Sequence, residues 1–195
     1  MNYLAHLFLS GQNEDWLIGN FIADSIRNKD LPAYSPAIQQ GVFLHRQIDS
    51  FTDNHPVVLQ STRRLYPHHA KYSPVVIDIF FDHLLAVNWQ LYSEEPLRDF
   101  SARMYQILQE RKQDLPFKLK KRVPAMIEAD WLMQYGTERG LQYTFERMAD
   151  RTRFPSNFEN ALTYLKRDFS LFMEEFNRFF PDVQQMAFNF KGMDK

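Results

Sequence analysis

Apolar positions along this chain recur at helical spacing rather than in strand-like alternation. Phe169, Phe172, Phe176, Phe179 and Phe180 follow one helix face. The stretch Val75 to Val87, VVIDIFFDHLLAV, has ten apolar residues and three polar ones, so as a helix it is apolar almost all round and calls for burial on most faces. The breaks between apolar stretches are made by proline, and no Asn-Gly or Asp-Gly hairpin turn occurs. YSPAIQQ predicts Ser35 as N-cap with Pro36 in the first helical position; YSPVVID repeats the device with Ser73 and Pro74, and NHPVVLQ places Pro56 similarly. The pattern predicts helices near 13–27, 36–52, 56–66, 74–92, 95–113, 117–135, 137–150 and 157–178, after a short helical or extended segment at 2–9. With no repeat or long linker, the expectation is one all-α domain over 1–195, a single helical bundle. The end, FNFKGMDK, is expected to fray.

The polar exceptions inside these apolar runs carry the chemistry. Asp78 and Asp82 are four apart, hence stacked on one helix face where like charges repel, and ionised carboxylates are costly to bury unpartnered. His45 and Asp49 share a face in the helix from Pro36, with Gly41 one turn before His45. A glycine inside a helix costs about 1 kcal/mol against alanine, so Gly41 points to close approach of another element or a ligand. Upstream, LAHL offers His6, and GNFIADSI offers Asn20 and Asp24, again four apart.

Four apolar elements within the first 90 residues therefore each present a His, Asp or Asn. Bundled around one pocket, they would suit a hard or borderline divalent ion such as Mn²⁺, Fe²⁺ or Mg²⁺, and zinc less exclusively. Such a cation would compensate Asp78 and Asp82. Taken singly, each residue also has a plainer reading. A lone His is a satisfied core residue, Asp78 caps or pairs with a buried Arg such as Arg46, Asp53 is a turn residue, and Gly41 eases helix packing. His55, His68 and His69 fall at helix ends or in a polar turn and are expected to be exposed.

Composition narrows the field. The chain has 195 residues, 45% hydrophobic and 24% charged, with 18 Phe to build a core. Its net charge of -1 argues neither for nor against a polyanionic partner. Cysteine is absent, which removes thiolate chemistry and a Cys-rich metal site. No run approaches the roughly 20 apolar residues of a membrane span, so a cytoplasmic protein is expected. P-loop, Rossmann and nucleophile-elbow motifs do not occur. RKQDLPFKLKKR carries Arg111, Lys112, Lys118, Lys120, Lys121 and Arg122 against one Asp, either a solvated helix end or a patch for an acidic partner. Arg63 and Arg64 in STRRLY carry the same ambiguity.

In order and spacing, MNYLAHL, IGNFIAD, GVFLHRQIDSFTDNHP and DIFFDHLLAVNW resemble the acyl carrier protein phosphodiesterases, closely over the first 90 residues and in length and helical character beyond. The resemblance implies an HD-domain-like all-helical fold, as in an atypical branch of the HD phosphohydrolases. It implies Mn²⁺-dependent release of 4'-phosphopantetheine from the serine of holo-acyl carrier protein. It also implies that the partner is that acidic carrier, with neither nucleic acid nor membrane involved. It makes His6, Asp24, His45, Asp49, Asp78, Asp82 and His83 the functional set. Asp24, His45, Asp82 and His6 are expected as metal ligands, Mn²⁺ first and Fe²⁺ or Mg²⁺ next. His83, Asp49, Asp78 and Arg46 are expected in catalytic or supporting roles, and Lys118, Lys120, Lys121 and Arg122 at the partner surface. The adjacent pair here is reversed, Asp82-His83, so the ligand set of ordinary HD enzymes does not transfer. The rival readings are an HD-like phosphohydrolase of nucleotides or small phosphoesters, and a non-catalytic helical binding protein.

Overall fold

Capping side chains and prolines set where the helices begin. In the computed structural model, which describes residues 1–150 and 152–192, Ser35 accepts the Ile38 N–H at 3.3 Å and Pro36 opens the helix behind it. His55 caps the helix that starts at Pro56, its ring Nδ1 accepting the Val57 N–H. The chain order is α1 (Tyr3–Ser10), α2 (Glu14–Ile22), α3 (Pro36–Asn54), α4 (Pro56–His69), α5 (Ser73–Val87) and α6 (Leu97–Glu110). It continues through α7 (Phe117–Glu128), α8 (Trp131–Gln134), α9 (Glu138–Ala149), α10 (Ala161–Arg167) and α11 (Phe169–Gly192). No strand occurs among the described residues, so the all-α expectation holds. Among the described residues no helix is long and apolar enough to cross a membrane.

Four local expectations need correction. Ser73 is not an N-cap: it lies in the first turn of α5 and its hydroxyl donates back to Ala70 O at 2.8 Å. The segment 117–135 is two helices, because Asp130 adopts a left-handed conformation (φ 46°) that ends the first. The segment 157–178 is a 3-10 turn and two helices, and the second runs on to Gly192. Phe188 to Gly192 is thus helical rather than frayed, while 193–195 lie outside the described residues. Ala187 and Val183 are buried on this helix, and its Lys191 reaches Leu9 O at 2.8 Å, which ties the end down.

The apolar α5 is the core's spine. Val76, Ile77, Ile79, Phe80, Phe81, Leu84 and Leu85 are all fully buried. Phe80 meets Phe145 and Phe172 edge-on, and Phe81 meets Phe176, in the T-shaped arrangement that aromatic quadrupoles favour. On the α4 side, Glu175 of α11 is buried and fully partnered: Ser61 Oγ donates to it at 2.6 Å and Arg64 Nη1 at 2.7 Å. Arg64 is therefore a packing residue, not part of a basic patch.

Helices α2 and α3 touch backbone to backbone. A Cβ on Gly19 would lie 2.8 Å from Gly41 Cα, and a Cβ on Gly41 would lie 2.8 Å from Trp16 Cα. What comes close to Gly41 is another helix rather than a ligand, and this crossing sets Asn20, next to Gly19, against His45, one turn beyond Gly41.

Candidate metal centre

Three elements meet at His6 of α1, Asn20 of α2 and His45 with Asp49 of α3. Asn20 is fully buried, and both of its amide hydrogens are spoken for: Nδ2 donates to His6 O at 3.1 Å and to Ser10 Oγ at 2.9 Å. Ser10 Oγ in turn donates to His6 O, so it can only accept from Asn20. Oδ1 of Asn20 is then turned to both imidazoles, 2.9 Å from His6 Nδ1 and 2.9 Å from His45 Nδ1. An amide oxygen only accepts, so both Nδ1 atoms carry hydrogen and both Nε2 atoms face away from Asn20. One asparagine sets the tautomer of two histidines.

Both Nε2 atoms face Asp49. His6 Nε2 lies 3.1 Å from Asp49 Oδ1, and His45 Nε2 lies 3.1 Å from Asp49 Oδ2 and 3.2 Å from Asp24 Oδ1. The rings stack with centroids 4.1 Å apart. Burial lowers the His6 pKa to about 4, and the neighbouring His45 charge works in the same direction. Burial also opposes charge on His45, but Asp24 and Asp49 outweigh it and raise that imidazole to about 9. Asp49, although burial would raise it, is held well below the ordinary carboxylate range by the two histidines. The hydrogen bond to His45 lowers Asp24 as well.

His6, His45 and Asp49 thus form a group whose ligand atoms lie within 4.8 Å of one another and can hold a metal ion. Two imidazole nitrogens fixed outward by a shared hydrogen-bond partner are the arrangement in which outer residues orient metal ligands. Asp24, with its side chain 84% exposed, stands at the solvent edge. Met1, Asn2, Tyr3, Leu7 and Phe21 join His6, Asn20, Asp24 and His45 around a cavity of about 90 Å³.

The other expected site residues are placed elsewhere. Asp82, expected as a ligand, is fully buried and turned to the start of α1: it accepts the N–H groups of Asn2 at 3.1 Å, Leu4 at 2.8 Å and Ala5 at 3.4 Å. Burial pushes its pKa up to about 7 against the pull of the Met1 ammonium and these donors, and the acceptor-only contacts are those of the ionised form. Asp78 Oδ1 lies 2.7 Å from the buried Met1 ammonium, and Arg46 is not its partner. The paired carboxylates of α5 hold α1 in place by its N-terminal end, where the helix dipole favours negative charge. His83 lies on another flank, its Nδ1 2.7 Å from Tyr135 O. Arg46 donates to Asn28 Oδ1 at 2.7 Å and sits over the Phe43 ring.

The remaining histidines divide. His55 donates toward Asp182 Oδ2 at 3.2 Å, His68 stacks on Tyr164, and His69, expected exposed, is buried with Nδ1 3.0 Å from Ser156 O. Sequence spacing offered Asn20 beside Asp24 without giving it a role, and it missed Ser10. The signal available for Asn20 was an amide inside the apolar run Leu17 to Ile22, four residues before Asp24. Ser10 gave none.

Among the described residues this is an all-α protein with a His₂-carboxylate cluster that could hold a metal ion, built where three N-terminal helices meet. Residues 1–183 match the family model of acyl carrier protein phosphodiesterase, and the chain belongs to that family. It is 28% identical over 188 residues to the acyl carrier protein phosphodiesterase of Serratia proteamaculans, covering 96% of this chain and 97% of that one. It is also 28% identical over 190 residues to that of Enterobacter sp. (97% and 98% covered) and 27% identical to that of Photorhabdus laumondii (97% and 96%). No solved structure gives a significant match.

Proposed function

We propose that this protein hydrolyses the phosphodiester joining 4'-phosphopantetheine to a carrier-protein serine, giving apo carrier protein and free 4'-phosphopantetheine, with Mn²⁺ as the resident ion. Family membership supports the reaction class, and the carrying observation is the Asn20-organised pair of imidazoles facing Asp49 at a small cavity. A cavity of about 90 Å³ has room for a phosphoryl group and water, far below the roughly 300–1,000 Å³ of pockets that enclose a drug-sized ligand. That favours a substrate whose bulk stays outside over a nucleotide swallowed whole.

In this reading His6 Nε2, His45 Nε2 and Asp49 would hold the cation, and Asn20 keeps both imidazoles turned to it. The bound cation supplies Lewis acidity toward a phosphoryl oxygen and lowers the pKa of a bound water. Asp24, ionised and open to solvent, accepts a hydrogen from the attacking water and orients it. Water oxygen adds to phosphorus, the bond from phosphorus to the serine oxygen breaks, and that oxygen takes up a proton.

Incubation of holo carrier protein with this protein and Mn²⁺, followed by intact mass spectrometry, tests the reading. The carrier is expected to fall to its apo mass, 4'-phosphopantetheine to appear, and EDTA to stop both. A carrier mass unchanged with Mn²⁺, Fe²⁺ and Mg²⁺ each supplied in turn would overturn it.

A further inference from the structure

The basic segment after α6 separates into residues that are consumed by the fold and residues that are not. Arg111 bonds Asp15 at 2.6 Å and Asp114 at 2.7 Å, which ties the start of α2 to the turn before α7. Lys120 is half-buried and turns back to Gln113 O. Lys118, Lys121 and Arg122 are exposed, and none has an acidic partner among the described residues. With Phe117, which is 71% exposed and covered on one side by Lys121 Nζ at 4.4 Å, they occupy adjoining positions on the first turns of α7.

Helix stability does not account for Lys118, which sits in the first turn of α7 where the positive end of the dipole disfavours a cation. Phe117 and Arg122 are of the residue types enriched in protein interfaces. The face is also continuous with the metal centre. Arg122 Nη1 donates to the Tyr3 hydroxyl at 3.3 Å, and Tyr3 lines the cavity that contains His6, Asp24 and His45.

We propose that Phe117, Lys118, Lys121 and Arg122 form a docking surface for an acidic protein face, that of the carrier-protein substrate, beside the mouth of the metal centre. This rests on the function proposed above and deepens it. The small cavity leaves most of the substrate outside, and the charge joined to its rim through Tyr3 is the positive one of Arg122. The three charges attract a carboxylate-rich surface over about 10 Å at 0.1 M salt, and Phe117 supplies the apolar contact that survives screening.

The test is equilibrium binding of purified apo carrier protein, which needs no turnover. Three proteins are compared: wild type, the reversal Lys118→Glu/Lys121→Glu/Arg122→Glu, and the control reversal Arg98→Glu/Arg139→Glu/Arg178→Glu. The control changes net charge equally at exposed arginines without ion pairs among the described residues. At low salt the α7 reversal is expected to weaken binding about tenfold or more, the control about twofold or less, and the gap to narrow as salt rises. Phe117→Ser is expected to weaken binding at every salt concentration. Equal loss in the two reversals means that net charge alone acts, and undiminished binding by the α7 reversal means that the carrier docks elsewhere. Either result overturns the proposal, as does a wild type that binds no carrier. A wild type that binds carrier through α7 yet releases no 4'-phosphopantetheine sinks the hydrolytic reading and leaves the docking surface standing.

Discussion

Gly19 and Gly41 meet where α2 crosses α3, so close that a Cβ on the first would stand 2.8 Å from the Cα of the second. Gly41→Ala gains about 1 kcal/mol of intrinsic helix propensity. It also drives a methyl group into the Trp16 backbone, which no side-chain rotation can relieve. The expected outcome is a net loss of stability, read as a lower midpoint in urea, with activity falling because Asn20 leaves His45. A Gly41→Leu variant as stable as wild type would contradict the crossing.

Asn20→Ala removes the acceptor shared by His6 Nδ1 and His45 Nδ1. Both rings are then free to turn or change tautomer, so divalent-ion affinity is expected to fall about 10–100-fold. Calorimetric titration with Mn²⁺ reads this directly, and unchanged affinity would remove Asn20 from its orienting role.

Asp49 and Asp82 are predicted to part company. Asp49→Ala should lose the ion while keeping helical content. Asp82→Ala leaves three N–H groups at the start of α1 without their acceptor, and is expected to cost about 3 kcal/mol of stability. Metal content and thermal melts on both variants decide the matter: an Asp82→Ala protein that melts like wild type but binds no ion would make Asp82 a ligand after all.

Burial lowers the pKa of His69 from its ordinary 6.5, so its neutral form belongs to the folded state. The unfolded chain takes up the proton first as pH falls. This contribution is therefore present above about 6.5 and is lost as pH drops through that value toward the folded pKa. His69→Asn keeps an amide donor for Ser156 O and removes the titration. The stability difference between wild type and His69→Asn should shift against the wild type between neutral pH and pH near 5, followed by urea denaturation. A difference independent of pH would show that His69 is not kept neutral by the fold.

What the sequence determined by itself is local. Ser35 with Pro36, and Pro56, mark helix starts because caps and proline geometry act within one turn. His45 and Asp49 share a face because four residues make about one turn. The apolar run of α5 had to be buried whatever it packed against, and the ordered motifs of the first 90 residues carried the family. Which of two similar carboxylate sets would face a pair of imidazoles was decided by tertiary structure alone. Asp49 and Asp82 each sit on a helix one turn from another polar residue, His45 and Asp78. One faces two imidazoles across the α1–α3 contact, and the other faces the backbone N–H groups that begin α1. The same holds for Gly41, whose neighbour is a helix crossing, and for Arg111 and Arg122, which the sequence lists together and the fold assigns to an ion-pair anchor and to an open face. Spacing along a helix fixes which side chains point the same way, but a charge takes its role from what lies opposite, and that depends on how the helices cross.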